Sequence, residues 1–295
     1  MRFLVAGVVR NCAAQLERDV ARIAAALSGV GSVQWLLVES DSTDGTVATL
    51  QKLSASIEGF SFDTQGALRD RFPIRTDRIR ICRNRYVQAI RTDPRHANVD
   101  FVVVADFDGV NTCISREALD SCWTRADWDV CTANQDGPYY DIFALRHPLW
   151  SPNDCWEQFH FMREYCSNEE RVLHSCVLSR MVRIPPGSDW IEVDSAFGGF
   201  AIYRRALFDA ADYGEPLHGE RDACEHVVFH RALKARGFRI FVNPALINAR
   251  RTDHVRLLTF GSMLQRRADG FARRIAKTIL PDRWLARIKA TYRQR

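Results

Sequence analysis

The feature that most restricts this chain is a repeated change of hydrophobic period along its first half. "FLVAGVV" is a β-branched apolar run, and "AAQLERDVARIAAAL" after it carries apolar residues at helical spacing. "VQWLLVES" and "DGTVATLQKLSAS" repeat the pair; "RIRICRNRYVQAIRT" mixes a short strand with a helix, and "DFVVVADFD" is a further strand. Runs that stay apolar without alternating are buried on both faces, and the helices between them supply the cover. The pattern predicts an α/β protein with a mostly parallel central sheet flanked by helices. Ligands bind such sheets beyond the carboxyl ends of the strands. Polar residues gather at those ends: Arg10 and Asn11, Glu39 and Asp41, Asp106 and Asp108.

A chain of 295 residues, 46% of them hydrophobic, can bury a sizeable core as one large domain or two small ones. Its formal charge of +5 is too mild to point to nucleic acid, and the basic excess is concentrated in the tail. Nine cysteines at irregular spacing, with no CxxC, argue for reduced thiols and against a disulfide framework or a zinc site. No stretch reaches the roughly 18 apolar residues that span a bilayer. The apolar run in "MRFLVAGVVRN" is too short for a signal peptide. The expectation is a soluble, cytoplasmic protein.

From about Trp123 to Pro186 the pattern is less regular and rich in Trp, Tyr, Cys and His. Beyond it, "FGGFAIYRRALFDAA" reads as a strand entering a helix, "CEHVVFHRALKARGF" as a helix with a glycine stop, and "RIFVNPALINA" as a last strand. The segment 255–295 interleaves arginine and lysine with apolar residues, and Pro281 divides it into two helical pieces. Such a basic amphipathic tail lies on an anionic membrane surface or packs on its own domain.

The chemistry centres on "VVVADFDGV". Residues two apart on a strand face the same side, so Asp106 and Asp108 present two carboxylates to one ligand. Like charges so close raise each other's pKa, and a hard divalent cation relieves the conflict. Mg²⁺ and Mn²⁺ take one or two carboxylates and complete their shell with phosphate oxygens and water, which suits a diphosphate. A plain strand-end turn before Gly109 is the alternative. In "VESDSTDGT", Glu39 and Asp41 face the same edge and suit a nucleobase N–H or ribose hydroxyls, while Ser42, Thr43 and Asp44 suit a helix cap.

"VESDSTDGT", "RNR" at Arg83 to Arg85 and "VVVADFDG" follow in the order used by glycosyltransferases of the GT-A fold. "DWDVCTANQDGPYYDIFALR" resembles the matching stretch of the fungal capsule-associated α-1,3-mannosyltransferases and their bacterial relatives. "FGGFAIYRRALF" is similar to their glycine-rich acceptor-side loop. "CEHVVFHRAL" takes the place of their acidic motif, with His226 where the family has an aspartate. The resemblance implies a GT-A (Rossmann-like) domain over residues 1–254, followed by the basic helical tail at 255–295. Within it, about 1–110 would bind the nucleotide sugar and 111–254 the acceptor.

The implied activity is metal-dependent transfer from a UDP- or GDP-linked sugar, GDP-mannose among them, to a hydroxyl of a glycan or lipid-linked acceptor in surface polysaccharide synthesis. The resemblance implies Mn²⁺ or Mg²⁺ on Asp106, Asp108 and His254, and Arg10, Asn11 and Arg83 near the phosphates. Glu39 and Asp41 would take base and ribose, and Asp141, Gly198 and Gly199 would line the sugar side. Glu225, His226 and Asp108 would carry the chemistry. Inverting transfer needs a base such as Glu225 or His226, whereas in retaining transfer the departing phosphate can take the proton. With so mild a net charge, no nucleic-acid partner is expected. Two alternatives remain: a nucleotidyltransferase with a similar metal site, and an inactive nucleotide-sugar-binding protein. The first should carry a glycine-rich phosphate loop after strand one, which "GVVRNCAAQ" lacks.

Overall fold

The apolar runs become strands and the amphipathic segments helices. The computed structural model describes residues 1–215 and 223–250. Its first half runs β1 (Arg2–Val9), α1 (Ala13–Leu27), β2 (Ser32–Glu39), α2 (Thr46–Ser56), β3 (Phe60–Thr64), α3 (Arg75–Thr92) and β4 (Phe101–Ala105). There follow α4 (Arg116–Asp120), β5 (Val130–Gln135), α5 (Cys155–Tyr165), α6 (Glu169–Cys176) and β6 (Ile191–Val193). β7 (Phe200–Arg204), α7 (Leu207–Ala210), α8 (Glu225–Lys234) and β8 (Ile240–Ala249) complete the described elements. These strands form one eight-stranded sheet in the order β3-β2-β1-β4-β7-β5-β8-β6. β7 runs antiparallel to both its neighbours and β6 antiparallel to β8; every other pairing is parallel. The expected mostly parallel sheet flanked by helices is what the chain forms.

Winding positions the site. From β1 the chain moves outward through β2 to β3, then returns through α3 to place β4 on the other side of β1. The loops after β1 and β4 therefore part at a topological switch point, where open α/β sheets leave a crevice. Because β7 is reversed, its beginning, not its end, reaches that same edge.

Helix burial follows the 3.6-residue period. Leu16, Val20, Ile23 and Leu27 of α1 pack with Phe3, Val5 and Val9 of β1, and each fully buried side chain of this size contributes about 1.5–3 kcal/mol. The opposite face of β1 and β2 is covered by α3, which buries Tyr86, Val87 and Ile90.

Two elements differ from the expectation. "RIRICRNRYVQAIRT" lies wholly within helix α3 and contains no strand. The alternation in "RIRIC" suggested a period of two, but the buried positions Thr76, Arg80, Arg83, Val87 and Ile90 recur every three or four residues. Arginine is tolerated there because its charge is met internally, as at Arg80, 3.5 Å from Asp77. The second difference is that β4 ends at Ala105, so Asp106 and Asp108 lie in the loop beyond it. Alternation nevertheless persists: Phe107 between them is buried, and its ring lies so close over Gly7 that a Cβ there would meet it at 2.5 Å. That glycine lets the ring seat and turns the flanking carboxylates outward.

No described helix is long and apolar enough to cross a membrane. Residues 251–295, with His254 and the basic tail, lie outside the described residues.

Candidate functional site

The loop after β4 is anchored at Asp106, Gly109 and Val110. Asp106 N donates to Gly199 O (3.0 Å), and Asp106 O accepts from Asn111 Nδ2 (2.7 Å). Gly109 N donates to Asp19 Oδ2 (2.8 Å), and Val110 N to Asp108 Oδ1 (3.2 Å). Asp108 is exposed, and the Asp106 side chain keeps 32% of its surface. The walls around Asp106 are close, however. Desolvation first, and the charge of Asp108 second, push its carboxyl up to about 8, against the pull of Arg83. An aspartate with this environment calls for a cation on its open side.

Behind Asp106 sits a buried guanidinium. Arg83 donates from Nε to Glu225 Oε1 (2.9 Å) and from Nη1 to the Tyr86 hydroxyl (3.2 Å), while Nη2 lies 3.7 Å from Asp106 Oδ1. The rings of Phe197 and Tyr213 flank it at 5.3 and 5.5 Å. Although burial opposes its charge, the surrounding acidic and phenolic groups hold the Arg83 pKa well above the ordinary arginine value. Glu225 opens α8 with only 8% of its side chain exposed. His226 is stacked on Phe197 with centroids 3.9 Å apart, neither ring nitrogen has a hydrogen-bond partner among the described residues, and burial drives its pKa well down. One turn on, His230 bridges Ser195 Oγ and the Tyr203 hydroxyl, each at 2.9 Å; burial pushes it down to about 3. Both histidines are neutral interior groups.

The loops after β1 and β2 are laced together. Asn11, at φ 49°, donates from its backbone to Ser42 Oγ (3.1 Å) and accepts from Thr43 N (2.8 Å). Asp44 accepts from Ala13 N (3.2 Å) and Thr46 N (2.9 Å), so one carboxylate serves the first turns of both α1 and α2. Glu39 accepts from Ser42 N (2.8 Å) and from the Thr64 hydroxyl, which ties the end of β2 to β3. Asp41, at φ 58°, accepts from Arg69 N (2.8 Å) and faces Arg78 Nε at 3.4 Å. Arg10 is exposed at the mouth of this edge.

From the second half, Gly198 and Gly199 enter β7 with φ of 74° and 83°. Gly198 N donates to Asp141 Oδ2 (2.9 Å), and Gly198 O accepts from Asn248 Nδ2 (2.7 Å). A Cβ on Gly199 would stand 2.8 Å from the Tyr140 hydroxyl and 2.9 Å from Val110 Cγ1. Gly199→Ala is therefore expected to lower stability by about 3 kcal/mol, from left-handed strain plus the clash, with denaturant unfolding as the measurement. A loss under about 1 kcal/mol would show that this loop yields freely.

The structure thus brings Asp106, Asp108, Arg83, Glu225, Gly198, Gly199 and Asp141 to one edge, with Arg10, Asn11, Glu39 and Asp41 at its β1–β2 end. Sequence reasoning passed over Asp19, Asn111 and Asn248. For Asp19 a signal was present: Leu16, Asp19, Val20 and Ile23 keep helical core spacing, so an aspartate stands on a buried face. Asn111 and Asn248, whose side chains bond each other at 2.8 Å, carried no such mark.

Among the described residues no group of three or more His, Cys, Asp or Glu side chains converges as a metal site. The carboxylate pair still fits a hard cation that takes its remaining ligands from phosphate and water.

No protein-family model matches the chain, and neither does any curated protein. Among solved structures it is similar to the mannosyltransferase PcManGT from Pyrobaculum calidifontis in complex with GDP-Man and Mn²⁺. The identity is 16% and the TM-score 0.46, over 84% of this chain and 56% of that one. Similarity to S. aureus TarS has 15% identity and a TM-score of 0.41, over 79% of this chain and 55% of that one. For glucosyl-3-phosphoglycerate synthase from Mycobacterium tuberculosis in complex with UDP the values are 13% and 0.41, over 85% and 71%. The chain spans little more than half the length of the first two.

Proposed function

We propose that this chain is a GT-A-fold glycosyltransferase that moves a sugar from a nucleotide-diphospho-sugar to an acceptor hydroxyl. The observation that carries the reading is the acidic pair at the switch-point edge: Asp106 and Asp108 repel each other, and Asp106 is closely walled, with the Arg83 guanidinium 3.7 Å away on its buried side. Asp106 and Asp108 would hold Mn²⁺ or Mg²⁺, with His254 as the further ligand the sequence resemblance implies. Such a cation supplies positive charge that stabilises a departing diphosphate.

The remaining roles belong to this chain's own groups. β1 stands between β2 and β4, so the Asp41 edge lies about 10 Å across the sheet from the Asp106 edge. A nucleoside diphosphate covers that span, with base and ribose towards Asp41 and phosphates towards Asp106. Glu39 works through the loop, since its hydrogen bonds from Ser42 and Thr64 shape the floor. Arg10 at the mouth adds positive charge for the phosphates. Gly198 and Asp141, joined at 2.9 Å, would line the transferred sugar. Glu225 braces Arg83, which in turn faces Asp106; an acceptor hydroxyl would have to displace that guanidinium to use Glu225 as a base. This favours transfer in which Glu225 positions and does not itself take the proton.

A UDP- or GDP-linked donor, a glycan or lipid-linked acceptor, and contact of the tail with an anionic membrane complete the proposal; they rest on the sequence resemblance and the tail's composition. The test is a thermal-shift panel of UDP- and GDP-sugars with and without Mn²⁺. A bound donor at a hundred times its Kd contributes about 2.7 kcal/mol, so the matching sugar should raise Tm only when Mn²⁺ is present. Because Asp106 holds its proton up to about pH 8, a cation must displace that proton. Mn²⁺ affinity should therefore rise from pH 6 to pH 8. A panel in which no nucleotide sugar shifts Tm would end this reading.

A further inference from the structure

We infer that Asp19, a buried carboxylate on α1, is a positioning residue that fixes the Asp106–Asp108 loop in the shape a cation requires. Asp19 stands on the core face of α1 among Leu16, Val20 and Ile23, with no exposed surface. An apolar side chain there would simply extend the core. A buried carboxylate is unfavourable unless its oxygens are met, so its partners show what it is for. Oδ2 accepts from Gly109 N at 2.8 Å, and Oδ1 faces Arg22 Nη1 at 3.4 Å, on a side chain that remains 40% exposed.

Gly109 is where the loop most needs a hold. β4 has already ended, Gly109 adopts φ 88°, and no strand neighbour receives its N–H. The other anchors secure the first half of the loop: Gly199 O and Asn111 hold Asp106, and the Phe107 ring seats against Gly7. Asp108 and Gly109 come after those anchors. Among the described residues, the internal bond from Val110 N to Asp108 and the long-range bond from Gly109 N to Asp19 fix them. Mutual attraction does not explain the arrangement, since the charge of Asp108 adds to the burial that already raises Asp19. The hydrogen bond to Gly109 is the gain that offsets this, and its effect is to set where the Asp108 carboxylate stands.

The metal part of this inference rests on the proposed function; the loop part does not, and the experiment separates them. Asp19→Ala and Asp19→Asn are compared with wild type for binding of Mn²⁺ alone by calorimetry and for hydrogen exchange at Gly109 and Val110. Loss of a hydrogen bond that orients a metal ligand weakens binding about tenfold or more, and here the bond acts through Gly109, the residue after Asp108. Asp19→Ala should show that loss together with faster exchange at Gly109. Asp19→Asn keeps an oxygen acceptor for Gly109 N, so its affinity and exchange should stay near wild type. A tail of purely structural damage would move Tm without this split between the two variants.

Wild-type exchange at Gly109 in Asp19→Ala would overturn the inference, as would an Asp19→Asn that loses as much affinity as the alanine variant. Should Asp19→Ala fail to fold, Asp19→Asn decides alone by the same two readings. If wild type itself binds no Mn²⁺ while Asp19→Ala still frees Gly109, the metal reading fails and the loop clamp stands.

Discussion

Asp108→Ala is expected to lower Mn²⁺-dependent sugar transfer about 100- to 1,000-fold while changing folding stability by less than about 0.5 kcal/mol. The two effects separate because Asp108 is exposed and, among the described residues, its side chain makes a local bond, from Val110 N at 3.2 Å. Its carboxylate contributes little to the core, yet in the proposed site it is one of the groups that would hold the cation. The change should also lower the Asp106 pKa, since the charge of Asp108 is the second-largest cause of its rise to about 8. A carboxyl titration followed by NMR would register that fall without any substrate. Turnover equal to wild type, or turnover indifferent to excess chelator, would remove the acidic pair from the mechanism.

Arg83→Ala is expected to cost about 3–5 kcal/mol of stability, the usual penalty for removing one partner from a buried ion pair. Glu225, at 2.9 Å, would be left inside the protein without its cation, and Asp106 would lose the guanidinium behind it. The Tyr86 and Tyr213 hydroxyls, joined at 2.7 Å, would lose their charged neighbour as well. Denaturant unfolding at neutral pH measures the loss. Arg83→Met combined with Glu225→Gln should recover a large part of it, because no net charge then remains buried at that pair. A single-variant loss below about 1 kcal/mol would mean that water reaches Glu225 and that the brace is not part of the fold.

Asp106 and Asp108 stood out because two charges at the end of an apolar strand conflict with the local pattern, and that conflict is visible within nine residues. The loops after β1 and β2 were legible only in part: Asp44 meets the first N–H of α2 as its residue type suggests, but the N-cap is Gly45, and Ser42 and Thr43 bond Asn11 and do not cap the helix. Arg83 was harder. In "RIRICRNR" it is one of four arginines, Arg78 and Arg80 are buried as well, and nothing nearby marks the one that reaches Asp106. Its partner Glu225 lies 142 residues away along the chain.

Short-range physics made legible most strands and helices of the first half and of the last third, the mostly parallel sheet, and the acidic residues collected at one edge; the short strand expected within α3 was the exception. Hydrophobic period and turn chemistry act over a few residues, so they are written where they act. Tertiary structure alone decided that β7 runs backwards and delivers Gly198 and Gly199 to that edge. It also decided that α3 buries its arginines, and that Asp19 reaches Gly109 across 90 residues of chain. Those outcomes depend on which groups meet after the chain closes, and a buried charge is tolerable only beside a partner that folding brings to it.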